Sequence, residues 1–207
     1  MIFNNVELNW LGHDGFKIKN SKIIYIDPFK IKDNEKAELI LITHEHYDHL
    51  SLDDVNKIYS NNTIIITSEI CKNDLSNFKN IKFVKPEDKL KIDDIEIEAV
   101  YSYNINKQFH PKKDLRVGYI LTINNTRIYH AGDTDLIPEM HNLRNIDIAL
   151  LPVSGTYVMD VNEAVEVVKI IKPKIAVPMH WGSIIASRKE AEEFKEKASK
   201  YCKVEIL

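Results

Sequence analysis

Short apolar runs at Val6 to Leu11, Phe16 to Lys19 and Lys22 to Ile26, broken by Gly12, Gly15, Asn20 and Ser21, predict a meander of three strands at the start of the chain. Leu39 to Thr43 is a continuous apolar run, the pattern of a strand buried on both faces. Beyond it Ser51 is placed to cap a helix, with Asp53 and Asp54 at its positive end and Leu52, Val55, Ile58 and Tyr59 as its apolar stripe. Thr63 to Thr67 reads as a strand, Ser68 as the start of a short helix, and Ile81 to Val84 as a further strand before Pro86. This half is expected to end near residue 90.

The second half follows the same order. An alternating segment at Ile95 to Val100 leads, through a polar stretch from Tyr101 to Leu115, into a hairpin that joins Val117 to Ile123 with Arg127 to His130 at Asn124-Asn125. Ile146 to Leu151 is again a buried run. Asp160 to Ile171 is a helix with Ala164, Val165, Val168 and Ile171 on one face, and Lys174 to Met179 a strand. Ser187 and Glu190 form a capping box for a last helix that turns Ala191, Phe194, Ala198 and Tyr201 inward, before a closing strand at Val204 to Leu207. Hairpin, strand, helix and strand occur twice, so two pseudo-repeated halves would form facing sheets with helices outside. No linker divides the chain, and residues 1–207 are expected to be one domain.

Composition narrows the class. At 207 residues and 44% hydrophobic content the chain can bury a full core. A formal charge of -3 gives no basic bias toward nucleic acid in general. No leader-like or membrane-length apolar run occurs, and Cys71 and Cys202 fit no metal spacing, so a cytoplasmic protein with reduced thiols is expected. The composition is compatible with a monomer or a symmetric oligomer.

The chemistry is concentrated in His44-Glu45-His46-Tyr47-Asp48-His49, where the first apolar run ends. His44 and His46 share a side in extended backbone, whereas Asp48 and His49 must turn back from the loop; one pair could serve one metal and the second pair another. Neutral imidazole and carboxylate suit Zn2+, and also Mn2+, Fe2+, Co2+ or Ni2+.

His-x-His-x-Asp-His after a strand, His130-Ala-Gly-Asp133-Thr and Pro178-Met-His180-Trp-Gly together resemble the metallo-β-lactamase superfamily. Gly12-His13-Asp14-Gly15, Ile26-Asp27-Pro28-Phe29, Tyr103-Asn104 and Leu151 to Tyr157 resemble its small single-domain branch, which includes ascorbate-6-phosphate lactonase-like and N-acylphosphatidylethanolamine phospholipase D-like proteins. The resemblance implies an α+β fold, a four-layer αββα sandwich with a dinuclear centre at the edge between its sheets. It implies that His44 and His46 ligate one metal, Asp48, His49 and His180 the other, and that Asp133 bridges them. The remaining ligand of the first metal falls at Asn104, six residues before His110, so Asn104, a water or His110 stands open for that place.

One or two divalent ions, zinc first, imply hydrolysis of an ester, lactone, amide or phosphoester of a small molecule. Asp48 or Asp133 is a candidate to take the proton of the attacking water, and His13, between two glycine turns, to orient substrate or ligand. Tyr157 is weighed as an oxyanion donor against a packed rim aromatic. Lys107, His110, Lys112, Lys113 and Arg116 are weighed as an anion-binding loop against a solvated face. His130 and His141 are left outside the site. Two other readings share these ligands: a phosphodiesterase or nuclease, and a metal-binding protein without turnover.

Overall fold

Four extended runs, β1 (Ile2–Phe3), β2 (Val6–Gly12), β3 (Gly15–Lys19) and β4 (Ile23–Ile26), pair antiparallel in chain order, and β5 (Leu39–Ile42), β6 (Ile64–Ser68) and β7 (Ile81–Val84) join them in parallel. The computed structural model that shows this describes residues 1–32 and 34–207. The second sheet repeats the plan. β8 (Lys89–Ile92), β9 (Ile95–Tyr101), β10 (Val117–Ile123) and β11 (Thr126–His130) are antiparallel, and β12 (Ile148–Pro152), β13 (Ile175–Met179) and β14 (Lys203–Val204) continue in parallel. Each sheet thus has seven strands, four antiparallel and three added in parallel.

Helices cover the outer faces. α1 (Leu52–Ile58) joins β5 to β6, α2 (Val161–Ile171) joins β12 to β13, and α3 (Arg188–Ala198) precedes β14. Their starts are those expected: the Ser51 hydroxyl accepts from Asp54 N, and Asp160 with Glu163, and Ser187 with Glu190, form capping boxes. β5 shows how the pattern divides the layers. Leu39 and Leu41 face the core between the sheets, while Ile40 and Ile42 pack with Val55 and Ile58 under α1. All four side chains are buried, at about 1.5–3 kcal/mol each, so a slip of one residue would exchange the faces at no gain and lose the pairing at the site. Tyr119 on the second sheet donates its hydroxyl to the Ile42 carbonyl at 2.8 Å and ties the sheets together below the site.

The α+β sandwich with two repeated halves is the observed architecture. Three details differ from expectation. β1 and β8 were not expected, and β8 moves the start of the second half to Lys89; its alternating Lys-Leu-Lys-Ile pattern is a half-exposed edge strand. Tyr201 lies beyond the end of α3 and is 46% exposed rather than inward. The last strand is confined to Lys203–Val204. Among the described residues no helix is long and apolar enough to cross a membrane, and both cysteines are free.

Candidate metal centre

Parallel strands deliver their C-terminal ends to one rim of the sandwich. Asp27 follows β4, residues 43–49 follow β5, Asp133 follows β11, Ser154 follows β12 and His180 follows β13. The β2–β3 turn supplies His13 and Asp14, and the loop after β9 supplies Asn104 and His110. His13 (φ 52), Asp27 (φ 43) and His180 (φ 61) all take left-handed backbone, a concentration of strained residues at one place. Gly132 is required for a similar reason. It has φ 63, and a Cβ there would come within 3.0 Å of Ser102 Oγ and 3.1 Å of the Val117 carbonyl, displacing the turn that carries Asp133.

Two donor clusters result. In the first, His44 Nε2 lies 3.0 Å from His46 Nδ1, which lies 3.3 Å from His110 Nε2. The tautomers of two of these rings follow from their outer partners. Thr43 gives its one hydroxyl proton to Asp27 Oδ2 at 2.6 Å, so it accepts from His44 Nδ1–H at 3.0 Å. Asn104 donates its amide to Asp135 Oδ1 and the Tyr157 carbonyl, which fixes its Oδ1 as the acceptor of His110 N–H and Nδ1–H, both at 3.0 Å. His44 and His110 therefore turn unprotonated Nε2 atoms inward. Three imidazole nitrogens that converge in this way, two of them with the opposite ring nitrogen already held by Thr43 and Asn104, suit a cation.

The second cluster is carboxylate-rich. His49 Nδ1 is 2.8 Å from Asp27 Oδ2, and His180 Nδ1 is 2.8 Å from Ser154 Oγ, so both rings turn Nε2 to the centre. Asp133 stands between the clusters: its Oδ1 is 3.3 Å from His49 Nε2, and its Oδ2 is 3.3 Å from His180 Nε2 and 3.2 Å from His110 Nε2. Asp48 Oδ2 is 3.0 Å from His13 Nε2 and 3.8 Å from His49 Nε2. His49 Nε2, Asp133 Oδ1 and both Asp14 oxygens are buried without a hydrogen-bond partner among the described residues. Buried polar atoms are normally satisfied, so these orphaned donors fit a bound divalent ion.

The electrostatics differ between clusters. Burial, with the positive field of His49, holds the His44 pKa well below its ordinary value, and burial with the Arg116 guanidinium lowers that of His46. Burial also opposes charge on His49 and His180, but Asp133 and Asp27 outweigh it at His49, whose pKa is well raised, and Asp133 and Asp14 lift His180 to about 9. Asp48 is brought down to about 2, because the His13 hydrogen bond and the His49 charge outweigh its burial. Burial dominates at Asp14 and raises it.

The chain is similar to known proteins over nearly all of its length. The beta-lactamase superfamily domain matches residues 7–180. The chain belongs to the beta-lactamase superfamily. It is 33% identical to a UPF0173 metal-dependent hydrolase of Pyrococcus furiosus, covering 98% of this chain and 96% of that relative. It is 34% identical to another of Thermoplasma acidophilum, covering 92% and 90%. The solved structure of a metallo hydrolase of Ignicoccus hospitalis, 26% identical, superimposes with a TM-score of 0.82 over 98% of this chain and 94% of that one. Superfamily membership thus covers the chain nearly end to end.

A cleft of about 280 Å³ opens over both clusters. His46, Asp48, His110, Asp133 and His180 form its floor, and Tyr47, Phe109, Tyr157 and Ile184 its walls. Tyr157 packs edge-on against Phe109, with ring centres 4.7 Å apart, as a rim aromatic. His13 lies buried behind Asp48, with Nε2 3.0 Å from its carboxylate, and does not line the cleft. The basic loop is no anion site. Lys107 pairs with Asp135 at 2.5 Å, Lys112 with Glu139 at 2.6 Å, and Arg116 with Glu45 through both carboxylate oxygens, while Lys113 is exposed outside the cleft. Arg116 also donates to the Phe109 carbonyl, which clamps the His110 loop onto the metal loop. His130 is buried, 2.9 Å from the Asp14 carbonyl, and His141 is exposed, both outside the clusters.

Asp14, Thr43, Asp27 and Ser154 were not singled out as site residues by reading the sequence. Asp14, Asp27 and Ser154 lie in segments that carry the family resemblance, and Asp27 also follows an apolar strand as Asp133 does.

Proposed function

We propose that the chain is a metal-dependent hydrolase of uncharged esters, lactones or amides whose acyl or alcohol part is apolar or aromatic. The observation that carries this reading is the cleft itself: aromatic and aliphatic walls over a His/Asp floor, with no lysine or arginine among its lining residues. Apart from the floor itself, a phosphoester anion would meet no lysine or arginine there. The proposal assigns His44, His46 and His110 to one ion, Asp48, His49 and His180 to a second, and Asp133 to the place between them, with Asn104 orienting His110 from outside the shell. Zinc is the ion expected first, and a small molecule rather than a macromolecule is the substrate expected of so short a cleft.

Bound divalent ions would supply a water acidified to near neutral pH and a Lewis acid for the substrate oxygen. The chain's own groups set the geometry. Asp48 is open to the cleft and stays ionised, and a carboxyl held at about 2 is a poor proton store at neutral pH. It therefore accepts a hydrogen bond from the attacking water and aims it, and His13 Nε2 keeps the carboxylate from turning. Phe109, Tyr157 and Tyr47 hold the apolar part of the substrate and limit access of bulk water to the floor.

The test is a panel of p-nitrophenyl acetate and butyrate, aromatic lactones and bis-p-nitrophenyl phosphate, run with protein loaded with Zn2+ or Mn2+ and with the Asp48→Ala variant. Metal-dependent ester or lactone turnover that is lost in Asp48→Ala is expected. Turnover of the phosphodiester alone would favour the phosphodiesterase reading. Tight metal binding with no turnover across the panel would favour a metal-binding protein.

A further inference from the structure

Asp14 has no part in the scheme above, yet its carboxyl is fully shielded and neither oxygen has a hydrogen-bond partner among the described residues. Its Oδ2 lies 3.6 Å from His13 Nε2, 3.7 Å from His49 Nε2 and 3.8 Å from His180 Nε2. The turn cannot release it. Trp10 Nε1 and His180 N both donate to the His13 carbonyl, at 2.9 and 3.0 Å, and His130 Nε2 lies 2.9 Å from the Asp14 carbonyl. A buried carboxylate without a donor is destabilising unless a cation faces it.

The spacing points to such a cation. Two ligands about 2.1 Å from one ion lie about 3.4 Å apart in a tetrahedral shell. His49 and His180 Nε2 are each 3.3 Å from an Asp133 oxygen and 3.7 and 3.8 Å from Asp14 Oδ2, and the four donor atoms lie within 4.8 Å of one another. Asp14 approaches from beneath, since it is absent from the cleft lining, whereas Asp48 lies on the cleft side.

We propose that Asp14 is a direct ligand of the ion held by Asp48, His49 and His180, closing its shell on the face away from the substrate. This rests on the reading that those side chains hold an ion. The site then carries three carboxylates and two imidazoles, a harder and higher-coordinate set than the three histidines beside it, and its preference for Mn2+ or Fe2+ over Zn2+ rises accordingly.

The test is thermal unfolding and chelator competition of the wild-type chain, Asp14→Asn and Asp14→Ala, in excess chelator and with Zn2+ or Mn2+ alone. The expected result is a gap that opens with metal: in chelator both variants unfold close to the wild-type temperature, and with metal they fall well below it. The affinity for one of two bound ions should fall about tenfold or more, with Mn2+ affected more than Zn2+. Variants that are destabilised equally with and without metal, or that fail to fold at all, would make Asp14 a structural residue and overturn the proposal, as would unchanged metal affinity. A wild-type chain that takes up no ion and gains no stability from metal would remove the underlying metal reading as well.

Discussion

His44, His46 and His110 meet with one carboxylate, Asp133, on their inner side and Glu45 only at the outer nitrogen of His46, whereas His49 and His180 are packed against Asp14, Asp48 and Asp133. The same residue type is tuned in opposite directions. In the first cluster burial and neighbouring positive charge hold His44 and His46 neutral, so their nitrogens are ready to bind. In the second, carboxylates draw protons onto His49 and His180, which must be shed before the nitrogens can bind. Binding-ready geometry and binding-ready protonation are thus separate properties, and this rim shows one of each.

The strongest blow to both clusters together is Asp133→Ala. It removes the one carboxylate that reaches His49, His110 and His180 among the described residues, and kcat/KM is expected to fall about a thousandfold or more, roughly 4 kcal/mol of transition-state stabilisation, with both ions lost in metal analysis. Single-cluster variants should separate what Asp133 joins. His110→Ala is expected to leave about one ion per chain in mass-spectrometric metal analysis. Two bound ions of unchanged affinity in that variant would show that His110 is not a ligand. A smaller loss is expected from the outer partners. Asn104→Leu should weaken only the ion of the first cluster and Asp27→Asn mainly that of the second, each about 10- to 100-fold by chelator competition. Equal effects of both variants on both ions would erase the distinction.

The most modest effect is in proton traffic. Because the His180 pKa is raised to about 9 in the metal-free chain, its stabilising contact is fully present below the unfolded histidine pKa of about 6.5 and is lost as pH rises through about 9. Metal-free protein should therefore lose stability from neutral pH upward, and loading the second cluster at pH 7 should release about one to two protons, measured by calorimetry in buffers of different ionisation enthalpy. The share of that release that comes from His180 should fall away as pH rises through about 9. Release of equal size from the His110→Ala and His180→Ala variants would contradict the contrast.

What could be read from the chain was local. The apolar run Leu39–Ile42, its polar sequel and the capped helix α1 lie within twenty residues, and periodicity, capping and ligand spacing all point one way there. The repeat of hairpin, strand, helix and strand was legible for the same reason. The choice between Asn104 and His110 was not, because it depends on Arg116 reaching Glu45 and on Asn104 reaching Asp135 and Tyr157, partners far away in sequence. The basic loop stood between an anion site and a solvated face for want of the same knowledge: the acids that pair with it are Glu45, Asp135 and Glu139. Asp14 resembles an ordinary turn residue, and only the packing of His130, His180 and Trp10 around the turn buries it.

Within each sheet the strands neighbour one another in chain order, so residues 2–84 build one sheet and residues 89–204 the other, with a single seam between them at residues 85–88. The donors divide along that seam. His44 and His46 come from one side and His110 from the other, and His49, Asp48 and Asp14 come from one side and Asp133 and His180 from the other. Neither half owns a complete cluster. The rim therefore works as a two-key lock: the halves must be seated together before either set of donors exists, and the chemistry of the cleft reports the alignment of the whole sandwich.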